Sequence, residues 1–146
     1  METVELITCI TTGAYLLLMS VLDIKSRRIP LLPGVILLVV ITGLCIPFAA
    51  DIVSRLLGVA VGAFLYIVSK ISRGEVGEAD AFVYAVTGMT IGIYHNVEVL
   101  LVSLFFAAIV SAFLLVIKRV DRKYKLPFIP FTFAGYVVVM VLTELI

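Results

Sequence analysis

Residues 72–85 read SRGEVGEADAFVYA and stand between two apolar runs. They carry Arg73, Glu75, Glu78 and Asp80 in a chain that is 63% hydrophobic. A solvated loop accounts for Glu75 and Glu78. It does not account for Asp80, which runs directly into Ala81, Phe82, Val83, Tyr84, Ala85 and Val86. Why a carboxylate stands at the mouth of an apolar helix is decided by the rest of the chain.

The chain has 146 residues, 14% of them charged, and a mean hydropathy of +1.26. Soluble domains carry about 25% charge, and a domain of this length leaves much of its surface exposed. So much apolar surface calls for a bilayer as its solvent. Six apolar runs approach or exceed the length needed to cross about 30 Å of hydrocarbon: 4–22, 31–50, 52–69, 81–94, 97–117 and 128–145. Each is expected to be a helix, because a span satisfies its backbone hydrogen bonds internally. Pro30 and Pro33 open the second run, Pro47 closes it, and Pro127 and Pro130 open the sixth. The fourth run, 81–94, would rise only about 21 Å. It is expected either to tilt through a thinned region or to begin inside a polar crevice. The expected fold is an all-α integral membrane bundle of about six helices, a single domain over residues 1–146.

Charge sets the orientation. Lys25, Arg27 and Arg28 follow the first run, and Lys70 and Arg73 follow the third. Lys118, Arg119, Arg122, Lys123 and Lys125 follow the fifth. With six spans these three loops share one face, which holds ten of the eleven basic residues and is therefore expected to be cytoplasmic. Both termini then lie outside, as does the turn containing His95 and Asn96, where Asn96 is expected to be reachable. Arg55, alone near the outer end of a span, is expected to snorkel to the headgroups. The N-terminus begins with Glu2 and Glu5 rather than a basic segment, so the first run is expected to remain as a span and not to be cleaved as a signal peptide.

Two aspartates stand at span ends on the cytoplasmic face, Asp23 and Asp80. Ionisable groups in such places are costly and mark functional candidates. Asp80 suits a helix N-terminus, where a carboxylate meets the positive end of the dipole. Asp23 stands at a helix C-terminus, where negative charge is disfavoured, and needs another reason. Two carboxyls brought together share one proton. The ionised member can activate water while the protonated one polarises a peptide carbonyl. Other catalytic sets lack their parts. His95 is the single histidine and falls at the opposite face, so neither a Ser–His pair nor a histidine metal site is available. Cys9 and Cys45 lie far apart inside apolar runs and read as packing residues. No metal, cofactor or nucleic-acid partner is expected.

These residues resemble the type IV prepilin peptidases, membrane aspartic proteases of the GxGD type. Three elements carry the resemblance, in order. Asp23-Ile24-Lys25-Ser26-Arg27-Arg28-Ile29-Pro30 is similar to the family's first aspartate with its basic stretch. Gly77-Glu78-Ala79-Asp80 is similar to GxGD, and Pro127-Phe128-Ile129-Pro130-Phe131 to the element opening the last span. Two positions depart from the pattern. Ala79 replaces the second glycine, as in a Gly-x-Ala-Asp form that resembles the archaeal preflagellin members. Phe82 stands where the family often has a lysine.

The resemblance implies an aspartic endopeptidase with a GxGD-type bundle and with Asp23 and Asp80 as its catalytic pair. Its substrate would be a pilin, pseudopilin or archaellin precursor with a short basic leader and an apolar helix, cut at the cytoplasmic boundary of the cell membrane. Such enzymes serve type IV pilus assembly and protein secretion. Glu75 and Glu78 are candidates to attract the leader; Arg27, Arg28, Gly77, Ala79, Pro127, Phe128 and Pro130 are candidates to bind substrate or shape the site. The chain lacks the paired cysteine motifs that accompany methylation in longer members, so a peptidase-only form without the N-terminal methyltransferase segment is expected. Two other classes remain open: a small ion-coupled transporter using the same acids, and an inactive scaffold homologue. Transporter sites usually lie near the bilayer midplane, whereas both acids here lie at one face.

Overall fold

A computed structural model describes residues 3–26, 34–36, 39–40, 51–72, 77–117 and 126–145, and their regular structure is entirely helical. Among the described residues four long helices follow in order: α1 (Thr3–Ser26), α2 (Ile52–Ile71), α3 (Glu78–Ile117) and α4 (Ile129–Leu145). Three of them are long and apolar enough to cross a membrane, over Glu5–Lys25, Ile52–Ile71 and Glu78–Ile117. A shorter apolar stretch, Ile129–Thr143, lies in α4. The described residues thus form an all-helical structure with three helices that could span a membrane. Of the expected second span, 34–36 and 39–40 are helical. The rest of it, with Pro30, Pro33, Cys45 and Pro47, lies outside the described residues.

One stripe of α1 is buried: Thr8, Thr12, Tyr15, Leu16, Met19, Ser20 and Asp23. Steps of three and four residues keep these on one face of a helix. Leu6, Ile10, Leu17, Val21 and Ile24 are exposed on the other side, as lipid contact requires. The inward stripe ends on Asp23.

The expected fourth and fifth runs form a continuous path of 40 residues broken at Gly92, with φ 76° and ψ 177°. Glycine enters that region without the steric cost of a Cβ. In a straight helix Tyr84 and Asn96 would stand about 18 Å apart along the axis. Instead the Asn96 Nδ2 donates to the Tyr84 carbonyl at 3.0 Å. The chain reverses at Gly92, and segments 78–91 and 93–117 lie side by side. The first segment begins at Glu78, three residues before the expected start at Ala81. Ala81, Val83, Tyr84, Val86, Thr87, Gly88, Met89 and Thr90 are all buried. Burial on every side marks a central helix, which is why a short run suffices: it is packed in protein, not stretched across lipid.

Small residues bring α2 against this central helix. A Cβ on Gly58 would fall on the Gly88 carbonyl, and one on Gly62 would fall on the Ala85 amide. Gly58 and Gly62 have the G-x-x-x-G spacing that permits close backbone approach in lipid. Polar contacts then lock the crossing. Asn96 Nδ2 also donates to the Gly58 carbonyl at 3.1 Å, and Thr87 Oγ1 donates to Asn96 Oδ1 at 2.8 Å.

The break itself is capped from α2. Ser54 Oγ accepts the Ile93 N–H at 3.3 Å, and Arg55 Nη1 donates to the Thr90 carbonyl at 2.5 Å. Helix ends leave such carbonyls without partners. Two expectations are corrected here. Arg55 turns onto the kink, where the carbonyls exposed by Gly92 offer it acceptors. Asn96 is fully buried, because its amide is the group that closes the reversal.

Helix α4 packs on the second segment of α3 and on α1. A Cβ on Gly135 would crowd Ser103 Oγ and the Val99 carbonyl. The Tyr136 hydroxyl donates to the Cys9 carbonyl at 3.0 Å, and Cys9 Sγ lies 3.9 Å from Met140 Sδ. Cys9 is thus a packing residue. The core joins Tyr15, Leu16 and Met19 of α1, Tyr84 and Val99 of α3, and Ile129 and Tyr136 of α4.

Candidate active site

Asp23 is 9% exposed, placed inward by the α1 stripe it completes. The Ile129 N–H donates to its Oδ2 at 3.4 Å, across 106 residues of sequence. Ile129 is the first residue of α4, and a helix N-terminus presents free N–H groups and the positive end of its dipole. The carboxylate that is misplaced at the end of its own helix is therefore well placed at the beginning of another. That contact supplies the reason the sequence left open.

Asp80 sits in the first turn of α3. Its N–H and that of Ala81 donate to the Gly77 carbonyl at 3.1 and 3.3 Å. The carboxylate folds back over Gly77: a Cβ there would lie 2.6 Å from Asp80 Oδ2. The absent side chain of Gly77 is the space the acid occupies. In this position Asp80 is within electrostatic reach of Asp23. Both aspartates thus lie where α3 and α4 begin.

The proline-phenylalanine element shapes this end. The Phe128 carbonyl accepts the Phe131 and Thr132 N–H groups at 3.0 and 3.2 Å, starting α4. Its ring lies against Tyr84, with centroids 6.3 Å apart. Ile129 is fully buried, and Pro127, Phe128 and Pro130 are half-buried around it. Together they aim the amide of Ile129 at Asp23.

Glu78 has a different setting. Lys70 Nζ lies 2.6 Å from its Oε1, with both side chains more than half exposed. Lys70 also stands 5.1 Å from the centroid of the Tyr66 ring. The pair ties the end of α2 to the start of α3 and gives Glu78 a cation from within the chain. Ala79 is half-buried beside it. Glu75, Arg27 and Arg28 lie outside the described residues. His95 Nδ1 is 2.9 Å from Glu98 Oε2 at the surface. It lies past the Gly92 reversal, at the far end of the central helix from Asp80.

Tyr84 belongs to this region and was not singled out from the sequence. It is fully buried one helical turn after Asp80, and Thr132 Oγ1 donates to its hydroxyl at 3.3 Å. The four-residue spacing from Asp80 places the two on one face, and that was the available signal. Among the described residues no three His, Cys, Asp or Glu side chains group as a metal site.

A family model of the type IV leader peptidase family matches residues 10–116. The match runs through both Asp23 and Asp80. No curated protein and no solved structure gave a match.

Proposed function

The chain belongs to the type IV leader peptidase family, and on that premise we propose that it is a membrane aspartic endopeptidase working through Asp23 and Asp80. Its substrates are precursors of the prepilin type, cut where a short basic leader meets an apolar helix. One observation carries the reading: a buried Asp23 held at the start of α4 stands within electrostatic reach of Asp80 at the start of α3. Two such carboxyls hold one proton between them. The ionised member takes a proton from water, whose oxygen attacks the scissile carbonyl carbon. The protonated member hydrogen-bonds the carbonyl oxygen and offsets its developing charge. When the tetrahedral intermediate collapses, the C–N bond breaks and the leaving nitrogen receives a proton from the dyad.

With six spans this chemistry would lie at the cytoplasmic face. Support comes from the ten basic residues in the loops after the first, third and fifth runs, since basic loops stay cytoplasmic. A leader still in the cytoplasm would meet the dyad there.

The test uses purified protein in nanodiscs and a synthetic peptide with a basic segment, a glycine and an apolar helix. Asp23→Asn and Asp80→Asn should each lower turnover by roughly a thousandfold or more, as removal of one member of a unit does, with unfolding temperatures near that of the parent. Glu78→Gln should keep turnover. Substantial cleavage by either aspartate variant would overturn the assignment.

A further inference from the structure

We propose that the Tyr84 hydroxyl is a positioning group that fixes the separation of the two carboxylates, an inference that rests on the dyad reading above. Four observations converge on this residue. It lies one turn along α3 from Asp80, and a helical side chain leans back toward the turn preceding it. Its ring packs on Phe128, the residue just before α4. Thr132, in the first turn of α4, donates to its oxygen at 3.3 Å. The next residue after Phe128, Ile129, supplies the amide that holds Asp23.

One phenol thus touches the start of α4, which locates Asp23, while its own backbone continues the turn that locates Asp80. Two helices are thus joined through a single side chain that is fully buried.

Core filling alone would be met by phenylalanine, since a buried phenol must also find polar partners. Its partner does not depend on Tyr84 in return, since Thr132 Oγ1 also has the Phe128 carbonyl at 3.5 Å. Tyr84→Phe therefore strands no donor, and the cost to stability should be small. What it removes is the polar link between the start of α4 and the helix carrying Asp80.

The experiment compares Tyr84→Phe, Thr132→Val and Thr132→Ser in nanodiscs with the same peptide, measuring kcat, KM and thermal unfolding. Tyr84→Phe and Thr132→Val should each lower kcat about tenfold with KM unchanged, because displacements below 1 Å already cost rate at this scale. The double variant Tyr84→Phe/Thr132→Val should be no slower than either single one, since both break the same link. Thr132→Ser should restore the parental kcat. Parental kcat in Tyr84→Phe, or equal losses in Thr132→Ser and Thr132→Val, would overturn the proposal. So would rate losses that multiply in the double variant. If Tyr84→Phe fails to fold, the hydroxyl is a structural requirement and the proposal falls, whatever the threonine pair gives. Full turnover by Asp23→Asn or Asp80→Asn instead defeats the dyad reading itself, so the two failures are told apart.

Discussion

Gly77→Ala separates catalytic geometry from stability at a single atom. A Cβ on Gly77 would stand 2.6 Å from Asp80 Oδ2, and ordinary contact begins at 3.4 Å, so the carboxylate must retreat by about 0.8 Å. The obstructing atom is the end of a flexible side chain, and Gly77 has no positive φ. The backbone can therefore accept alanine. Gly77 also precedes the first residue of α3, where glycine is preferred to alanine by about 1 kcal/mol or less. The structural cost is small, while a displacement near 1 Å in a reacting group can cost about a hundredfold in rate. The expected result is a folded protein with kcat reduced between about tenfold and a hundredfold. Gly88→Ala provides the contrast. Its Cβ would meet the Gly58 carbonyl, which is backbone and cannot swing aside. Overpacking of that kind typically costs about 1–3 kcal/mol, so this variant should lose stability first.

Peptide cleavage in nanodiscs and thermal unfolding in the same preparation give both readouts. Parental kcat in Gly77→Ala would refute the claim that the carboxylate needs the vacant space above this glycine. A large fall in its unfolding temperature would refute the claim that the acid, and not the backbone, absorbs the clash.

Three further outcomes are expected. Arg55→Met removes the donor at the Thr90 and Met89 carbonyls; stability should fall by about 1–3 kcal/mol, the usual cost of stranding buried polar groups, and an unchanged denaturation midpoint would remove the capping role. Cysteines at Ser26, Ser72 and Lys123 should resist an impermeant thiol reagent in intact cells while one at His95 is labelled, as the basic loops predict; the opposite pattern would put the dyad on the wrong side for a cytoplasmic leader. The rate should be bell-shaped in pH, because one carboxyl must be ionised and one protonated, with limbs that belong to the pair; a single sigmoid across the acid range would argue against a shared proton.

Much of the site was legible because it is written in charge and in small residues. Asp80 declared itself by standing against six apolar residues, and Asp23 by standing at the wrong end of a helix. What the sequence could not supply was the partner of Asp23, since Ile129 is an ordinary apolar residue whose contribution is a backbone amide. The reversal at Gly92 was half legible: the two runs were separated, but near the Tyr94–Val97 junction, several residues past the glycine that turns the chain. Asn96 looked like a loop residue because polar side chains usually are, yet its amide groups are consumed inside the bundle. Gly58 and Gly62 offered a readable packing motif that orientation arguments did not require. Arg55 was misread for a related reason, because a broken helix nearby offers acceptors that hydropathy does not reveal.

These contacts have a consequence for how the dyad can be maintained. Asp80 is held by its own helix over Gly77, and Asp23 is held by an amide from a helix over a hundred residues away. Their separation is therefore set by how α4 seats against the central segment of α3. The contacts that seat it are Phe128 on Tyr84, Thr132 on the same hydroxyl, and Gly135 against Ser103. On its other side the central helix cannot retreat, because α2 meets it backbone to backbone at Gly58 and Gly88. A helix wedged on one face and linked on the other leaves the acid it carries little freedom to shift. The residues that matter for catalysis should accordingly extend beyond the acids to the small and hydroxyl side chains that fix this central helix.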